Sequence, residues 1–346
     1  MAILSSANQK LNNSPQEIKE AIQKAEKIAC TIDSRPDFDA FSSSMLMKSI
    51  LERVFNKSPD VYFFSDYPKN IGEIIDLTDV IKIKDYNSVD FTKYDLIITT
   101  DSGQIKHITP DGNFTFPEGV KVLNIDHHEV NEQFGTYNYV ISEYVSATEV
   151  IYDLLKKLKI TPTKEEATLI LLGILTDGGF YSYKTVTSLT FKDSAELVEL
   201  GVNQFDLISK LNESESVDNI KFKKVVLNNL VINLAEKYAY SFYTHDELIK
   251  QGIDSTNVFI RGSDLIKYIE GIDVAFCMND DPESPGVYTV SIRPKTEDID
   301  ANAIASIFGG GGHKVAAGAK VKVESLEDAI AKVLVEIKKY RENHGW

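Results

Sequence analysis

Asp37 and Asp39 stand two residues apart in RPDFDAFSS (35–43), directly after an apolar run and just before a helical stretch. Other acids close other apolar runs. Asp33 precedes the same pair, Asp101 follows KYDLIITT, Asp126 with His127 and His128 follows VKVLNI, and Asp177 ends ATLILLGILTD. Carboxylates gathered without compensation repel one another and raise one another's pKa, and burial adds to that cost. Divalent cations remove the objection. Oxygen ligands with imidazole nitrogens suit Mn²⁺, whereas a thiolate-free set is untypical of structural zinc. Two such ions, about 3.5–4 Å apart, polarise a phosphate, activate water and stabilise the leaving oxygen. His127 and His128 are adjacent and so point in different directions, which lets one ligate while the other faces a substrate. Taken singly, Asp37 also fits a helix cap, and Asp101, followed by Ser-Gly, also fits a turn.

A second set of residues lies in FGGGGHKVAAG (308–318). Consecutive glycines give up side-chain packing and carry an entropic cost, so the chain there needs unusual dihedrals or a close backbone approach. Amides of Gly310, Gly311 and Gly312 can cradle a phosphate, with His313 beside them and the start of a following helix adding its dipole. A flexible loop is the plainer alternative. Arg293, ending the alternating strand VSIRP, is either a partner for a second phosphate oxygen or a surface arginine.

The elements that must position these groups alternate. Residues 15–27 have helical spacing, 28–33 and 61–64 are strand-like, and 41–55 is helical again. KYDLIITTDSG (93–103) and VKVLNIDHHEV (120–130) are apolar strands that end in carboxylates. This pattern predicts an α/β fold whose N-terminal sheet is mostly parallel and covered by helices on both faces. Ligand crevices in such sheets lie at the carboxyl ends of the strands, so Asp33, Asp37, Asp39, Asp101, the Asp126–His128 triplet and Asp177, all taken as strand-end groups, converge there. Residues 143–175 are mainly helical and 192–201 form a further helix. The spacing weakens over 203–222, and a smaller α/β domain begins near 223. The expected division is therefore 1–205, a linker at 206–222, and 223–346.

With 346 residues, 43% of them hydrophobic and 26% charged, the chain has the composition of a two-domain globular protein. Its net charge of −15 argues against binding long nucleic acid nonspecifically, which depends on many basic residues. Cys30 and Cys277, far apart and each in an apolar segment, are expected to be reduced packed thiols. No apolar run approaches the ~20 residues that span a bilayer. The N-terminal MAILSSANQKLNNS lacks a basic region followed by an apolar core, and the cytoplasm is the expected location.

The segments DSRPDFDA (33–40), TTDSG (99–103), IDHHE (125–129), GILTDGG (173–179) and GGGGHKVAAG (309–318) occur in the order found in the DHH phosphoesterase family. The chain resembles the branch with the DHH-associated C-terminal domain, which includes nano-RNases (oligoribonucleases) and 3′-phosphoadenosine 5′-phosphate phosphatases. The resemblance spans nearly the whole chain. It implies an active-site cleft between the two domains and two Mn²⁺ ions, with Mg²⁺ as a substitute. It places Asp37 on the first metal, Asp39 on the second and Asp101 between them, with His127 and Asp177 completing the second site and Asp126 as ligand or support. His128 would face substrate and take part in catalysis together with Asp101, His313 and Arg293. The glycines, His313 and Arg293 would also hold the distal part of a nucleotide. Asp33 stands where the family has a metal-binding histidine, which makes that site more acidic and favours hard cations. Gly178 replaces a common Thr and Ser182 a common Arg, with Tyr181, Tyr183 and Lys184 nearby. The implied activity is hydrolysis of very short oligoribonucleotides or dinucleotides to mononucleotides, as an exonuclease. Other readings are a 3′-phosphoadenosine 5′-phosphate phosphatase, a cyclic-dinucleotide phosphodiesterase, or a catalytically weak nucleotide-binding relative. A homodimer is implied as well. Phe180, Tyr181 and Tyr183 are candidates for stacking on a base, although such aromatics also serve packing.

Overall fold

The chain divides into two compact units, Met1–Ser214 and Glu215–Trp346. The computed structural model describes residues 12–34, 36–64, 71–108, 114–212, 216–258, 260–296 and 298–344. The N-terminal residues 1–11, on which most of the expectation about a leader rests, lie outside the described residues.

The first unit runs α1 (Pro15–Lys24), β1 (Ile28–Thr31), α2 (Phe38–Phe55), β2 (Asp60–Phe63), α3 (Ile71–Ile74), β3 (Val80–Lys82), β4 (Leu96–Thr100), β5 (Lys121–Asp126), β6 (Tyr137–Val140), α4 (Ala147–Leu158), α5 (Lys164–Asp177), α6 (Ser188–Glu199) and α7 (Gln204–Asn212). Its sheet has the order β3-β2-β1-β4-β5-β6, and every pairing is parallel. The strand order reverses between β1 and β4, which makes their carboxyl ends the switch point where α/β sheets bind ligands.

Alternation along the strands builds two cores. Cys30, Ile98, Leu123 and Ile125 pack with residues of α1, α2, α4 and α5. Ala29, Ile97 and Val122 point the other way, onto Tyr86, Phe91 and Phe114. Tyr86 and Phe91 lie in single 3-10 turns, so short turns and aromatic loops cover this second face. A one-residue slip would exchange the two faces. Each Ile or Leu withdrawn from water is worth roughly 1.5–3 kcal/mol, so the register is strongly held. That register sets Thr31 against Thr99 and Thr100 against Ile125, so Asp33, Asp101 and Asp126 leave or end three neighbouring strands side by side.

Helix α4 carries a buried acid with consequences for stability. Glu149 is inaccessible to solvent; its Oε2 accepts from the Val145 amide at 2.7 Å while Oε1 has no partner. Burial drives this carboxyl up to about 7, with the Val145 amide working against the shift and the Asp193 charge adding to it. A carboxyl raised in the folded state favours folding when protonated, so its contribution is full below the ordinary Glu range and is lost as pH rises through about 7. Thermal unfolding in chelator should therefore find Glu149→Gln more stable than the parent at pH 8, by roughly 3 kcal/mol. The two should be nearly equal near pH 5.

The second unit contains α8 (Val217–Asn228), β7 (Val231–Asn233), β8 (Tyr238–Tyr243), α9 (His245–Lys250), α10 (Gly262–Ile266), β9 (Val274–Asp280), β10 (Val287–Pro294), α11 (Ala301–Ser306), β11 (Gly311–His313), β12 (Ala316–Lys322) and α12 (Leu326–His344). Its sheet has the order β11-β12-β10-β9-β8-β7, antiparallel except for the parallel pair β8–β9. The stretch 203–222 contains α7 and the start of α8, and the two units part at Ser214. Both cysteines are buried and unbonded. Among the described residues no helix is long and apolar enough to cross a membrane.

Candidate metal centre

Each acid reaches the switch point by a different local device. Asp37 caps α2, its Oδ1 accepting from the Ala40 amide at 3.0 Å, and its side chain stays exposed. Asp39, in the first turn of that helix, is fully buried. Its Oδ2 accepts from the Ala147 amide at 2.6 Å and its Oδ1 from Thr148 at 3.2 Å, both at the start of α4. Asp101 follows β4 with a φ of 55°, a left-handed conformation that is costly for a residue with a side chain and recurs at functional sites. Its neighbour Thr100 meets the hydroxyls of Ser43 and Ser44, which ties α2 to the end of β4. Asp126 is the last residue of β5. Asp177, grouped with the strand-end acids although its apolar run lies in the stretch that reads as mainly helical, ends helix α5.

These residues form two overlapping groups. One ligand atom each from Asp39, Asp101, His127 and Asp177 lies within 4.8 Å of the others, and so do atoms of Asp101, Asp126, His127 and His128. His127 Nε2 is 3.3 Å from Asp101 Oδ1 and 3.4 Å from Asp177 Oδ2. Asp33 and Asp37 belong to neither group. Asp33 instead accepts from the Ser102 hydroxyl at 2.7 Å. Their charges still reach the centre: both raise Asp101, and that of Asp37 also raises Asp39 and Asp177.

The electrostatics call for a cation. Burial, then the charges of Asp39, Asp37, Asp126 and Asp33, push the Asp101 carboxyl well above the usual range. Burial, then Asp39, Asp101 and Asp37, do the same to Asp177, with His127 opposing. Asp177 also sits at a helix C-terminus, the end that disfavours negative charge. Asp101 Oδ1 and His127 Nε2 are buried without hydrogen-bond partners. A buried carboxylate oxygen and a buried imidazole nitrogen facing each other at 3.3 Å, with two further carboxylates beside them, fit a hard divalent cation of the Mn²⁺ or Mg²⁺ kind, to which the nitrogen binds in its unprotonated form. Asp126 shows the contrary behaviour. Burial pushes its carboxyl up, but the hydrogen bond and charge of His128, the His127 charge and the Asn131 amide outweigh it and hold the group below its ordinary value.

Several contributors were not singled out from the sequence. Asn131 donates to Asp126 Oδ2 at 2.6 Å and to Asn124 Oδ1 at 3.0 Å. Asn124, which is fully buried, donates to the Ser102 carbonyl, bracing the turn that carries Asp101. Asn131 follows His128 by three residues, but nothing in its spacing distinguishes it from an ordinary loop residue. Gly173 did leave a signal, as a lone glycine inside an apolar helix.

The glycine run is built otherwise than expected. It follows α11 and enters β11, an edge strand paired antiparallel to β12, so no following helix contributes a dipole. A Cβ on Gly310 would lie 2.2 Å from the Gly318 carbonyl oxygen and one on Gly312 2.5 Å from that of Ala316, so close strand packing requires both. Gly309 has a φ of 72°. Gly311 has no such need, since a Cβ there meets nothing nearer than 3.7 Å. His313 is exposed. Arg293 is buried, not a surface arginine, with Nε on Asp264 Oδ1 at 3.1 Å and a second nitrogen on the Ile292 carbonyl at 3.0 Å. As the structure stands, its guanidinium is engaged within the second unit.

Carboxylates and imidazoles converging at the switch point of a parallel sheet, with a hard-cation donor set, define a metal-dependent phosphoesterase. The comparisons agree. The DHH family N-terminal domain matches residues 27–174 and the DHHA1 domain residues 236–339. The chain belongs to the two-domain DHH/DHHA1 family of phosphoesterases. It is 30% identical to the bifunctional oligoribonuclease and PAP phosphatase NrnA of Thermus thermophilus, over 65% of this chain and 66% of that one. The match therefore spans about two thirds of the Thermus protein. It is 26% identical to the protein of the same name from Bacillus subtilis, over 83% of this chain and 87% of that one. An exopolyphosphatase-related protein from Bacteroides fragilis shares the fold, with a TM-score of 0.83 over 96% of this chain and 97% of that one, at 21% identity.

Proposed function

We propose that this protein hydrolyses very short oligoribonucleotides or dinucleotides to mononucleotides, using Mn²⁺ or Mg²⁺. The observation that carries the reading is the convergence of Asp39, Asp101, His127 and Asp177 around two buried atoms that lack partners. Divalent cations held there supply Lewis-acid polarisation of a phosphate and activation of water. The chain's own residues do the rest. His128 is half-exposed, and Asp126 Oδ1 fixes its Nδ1 at 2.8 Å, so Nε2 is the nitrogen left to pass a proton to a leaving oxygen. Asp126, held ionised by Asn131 and the two histidines, keeps that ring oriented. Gly311, whose missing side chain neither packing nor dihedral explains, lies on an edge strand with one row of backbone groups outside the sheet, which suits a phosphate or ribose.

The substrate class rests on the relatives' names and on charge. A net charge of −15 disfavours long polyanions, whereas a short one is met locally by cations. The relatives named as bifunctional also support a second activity, removal of the 3′-phosphate of 3′-phosphoadenosine 5′-phosphate, at the same centre.

Base binding narrows to two rings. Tyr181 is stacked on Phe191 at 5.1 Å, whereas Tyr183, beside Gly179, is 56% exposed. Phe180, three residues beyond Asp177, is 45% exposed and held at a φ of 53° between two further left-handed residues. Stacking on an aromatic contributes about 1–3 kcal/mol per base, so Phe180→Ala should raise KM for a dinucleotide about tenfold with kcat little changed. Steady-state kinetics on a dinucleotide and on an abasic analogue checks this, because the analogue should be insensitive to the change.

The function itself is tested by stripping the protein of metal, restoring Mn²⁺ or Mg²⁺, and supplying a dinucleotide, a pentaribonucleotide, a cyclic dinucleotide, 3′-phosphoadenosine 5′-phosphate and pyrophosphate. Mononucleotides from the short RNAs are the expected products. Turnover of pyrophosphate alone, or of nothing, overturns the reading.

A further inference from the structure

We propose that Gly173 is a positioning residue of the metal centre, keeping open the space in which the Asp39 carboxylate is set. The inference rests on the metal-centre reading above and deepens it. Gly173 lies inside α5, one turn before Asp177, where glycine costs about 1 kcal/mol relative to alanine. Its backbone is not left-handed, so dihedral freedom does not account for it. Space does. A Cβ at this position would stand 2.1 Å from Asp39 Oδ1, 2.2 Å from Thr148 Oγ1 and 2.9 Å from Thr148 Cγ2.

Neither neighbour is free to retreat. Both Asp39 oxygens are held by the first amides of α4, and the carboxylate is fully buried. Thr148 Oγ1 bonds the Ile170 carbonyl at 3.1 Å and meets Ser146 Oγ at 2.9 Å. Asp39 is thus seated between the N-terminus of α4 and the bare backbone of α5. Because Gly173 and Asp177 lie four residues apart on one helix face, the same close approach sets the separation of Asp39 from Asp177. A methyl group here would displace one ligand relative to another without removing either. Supporting groups of this kind typically change metal affinity 10–100-fold.

The test is Mn²⁺ titration by calorimetry of the metal-stripped full chain, alongside circular dichroism and thermal unfolding in chelator. Gly173→Ala is expected to weaken Mn²⁺ binding roughly tenfold or more. Because this variant crowds Thr148 as well, Gly173→Ala/Thr148→Ala is measured beside it. The second change removes the threonine hydroxyl and methyl and leaves the crowding of Asp39. The double variant is expected to be folded and still weak for Mn²⁺. Parent-like Mn²⁺ affinity in the folded double variant would overturn the proposal, leaving Gly173 as a helix-packing residue. A double variant that stays unfolded with or without Mn²⁺ would overturn it too, since the glycine would then serve the fold. Failure of the parent to take up Mn²⁺ or Mg²⁺ would instead remove the metal-centre reading itself.

Discussion

Asp101→Asn is expected to lower turnover of a short oligoribonucleotide by on the order of 1000-fold, because it removes the one carboxylate common to both ligand groups. The same change should make the metal-free protein more stable. In the parent, burial and then the charges of Asp39, Asp37, Asp126 and Asp33 all penalise an ionised Asp101. A neutral amide of the same shape escapes that penalty and can donate to the remaining carboxylates. Opposite signs for activity and metal-free stability are what a ligand residue predicts. A residue serving only as a turn or cap would keep both, because Asn fills such positions about as well as Asp. Single-turnover assays with Mn²⁺ and thermal unfolding in chelator measure the two effects.

The second large effect is the response of stability to ion and pH together. In chelator, Asp101 and Asp177 are raised in the folded state, so their contribution is full below the ordinary Asp range and is lost as pH climbs through their folded values. Asp126 is lowered and works the other way, its contribution lost only as pH falls in acid. The metal-free protein should therefore unfold at lower temperature at pH 8 than at pH 5.5. Ion binding requires the ionised carboxylates, so loading should reverse that trend. With Mn²⁺ at a thousand times its dissociation constant the gain is about 4 kcal/mol, readable as a rise in Tm at pH 8. A Tm indifferent to Mn²⁺ at pH 8 would exclude a metal centre at this position. Glu149→Gln removes the part of the pH trend that belongs to α4 and leaves the part that belongs to the ligands.

Much of this protein could be read before its structure. Apolar strands alternating with helices imply a parallel sheet because strands covered on both faces need no polar side, and β1, β2, β4 and β5 fall where that pattern places them. The tandem His127–His128 and the carboxylates after strands pointed to cations for an equally general reason, since buried like charges cannot remain together without them. Other features depended on the tertiary structure. Asp37 and Asp39 are chemically alike in sequence, yet only Asp39 enters a ligand group, because helix α2 turns one acid inward onto the amides of α4 and leaves the other as its cap. Asp177 closes an apolar run in a stretch that reads as helical, and only the packing of α5 brings it beside Asp39 and Asp101. Arg293 reads either as a phosphate partner or as a surface arginine until Asp264, 29 residues away, is found beside it. Local sequence determined which segments form strands and helices, and which chemistry their ends carry. Packing of distant elements decided which carboxylates share a space, because that depends on separations of a few ångströms that no spacing along the chain encodes.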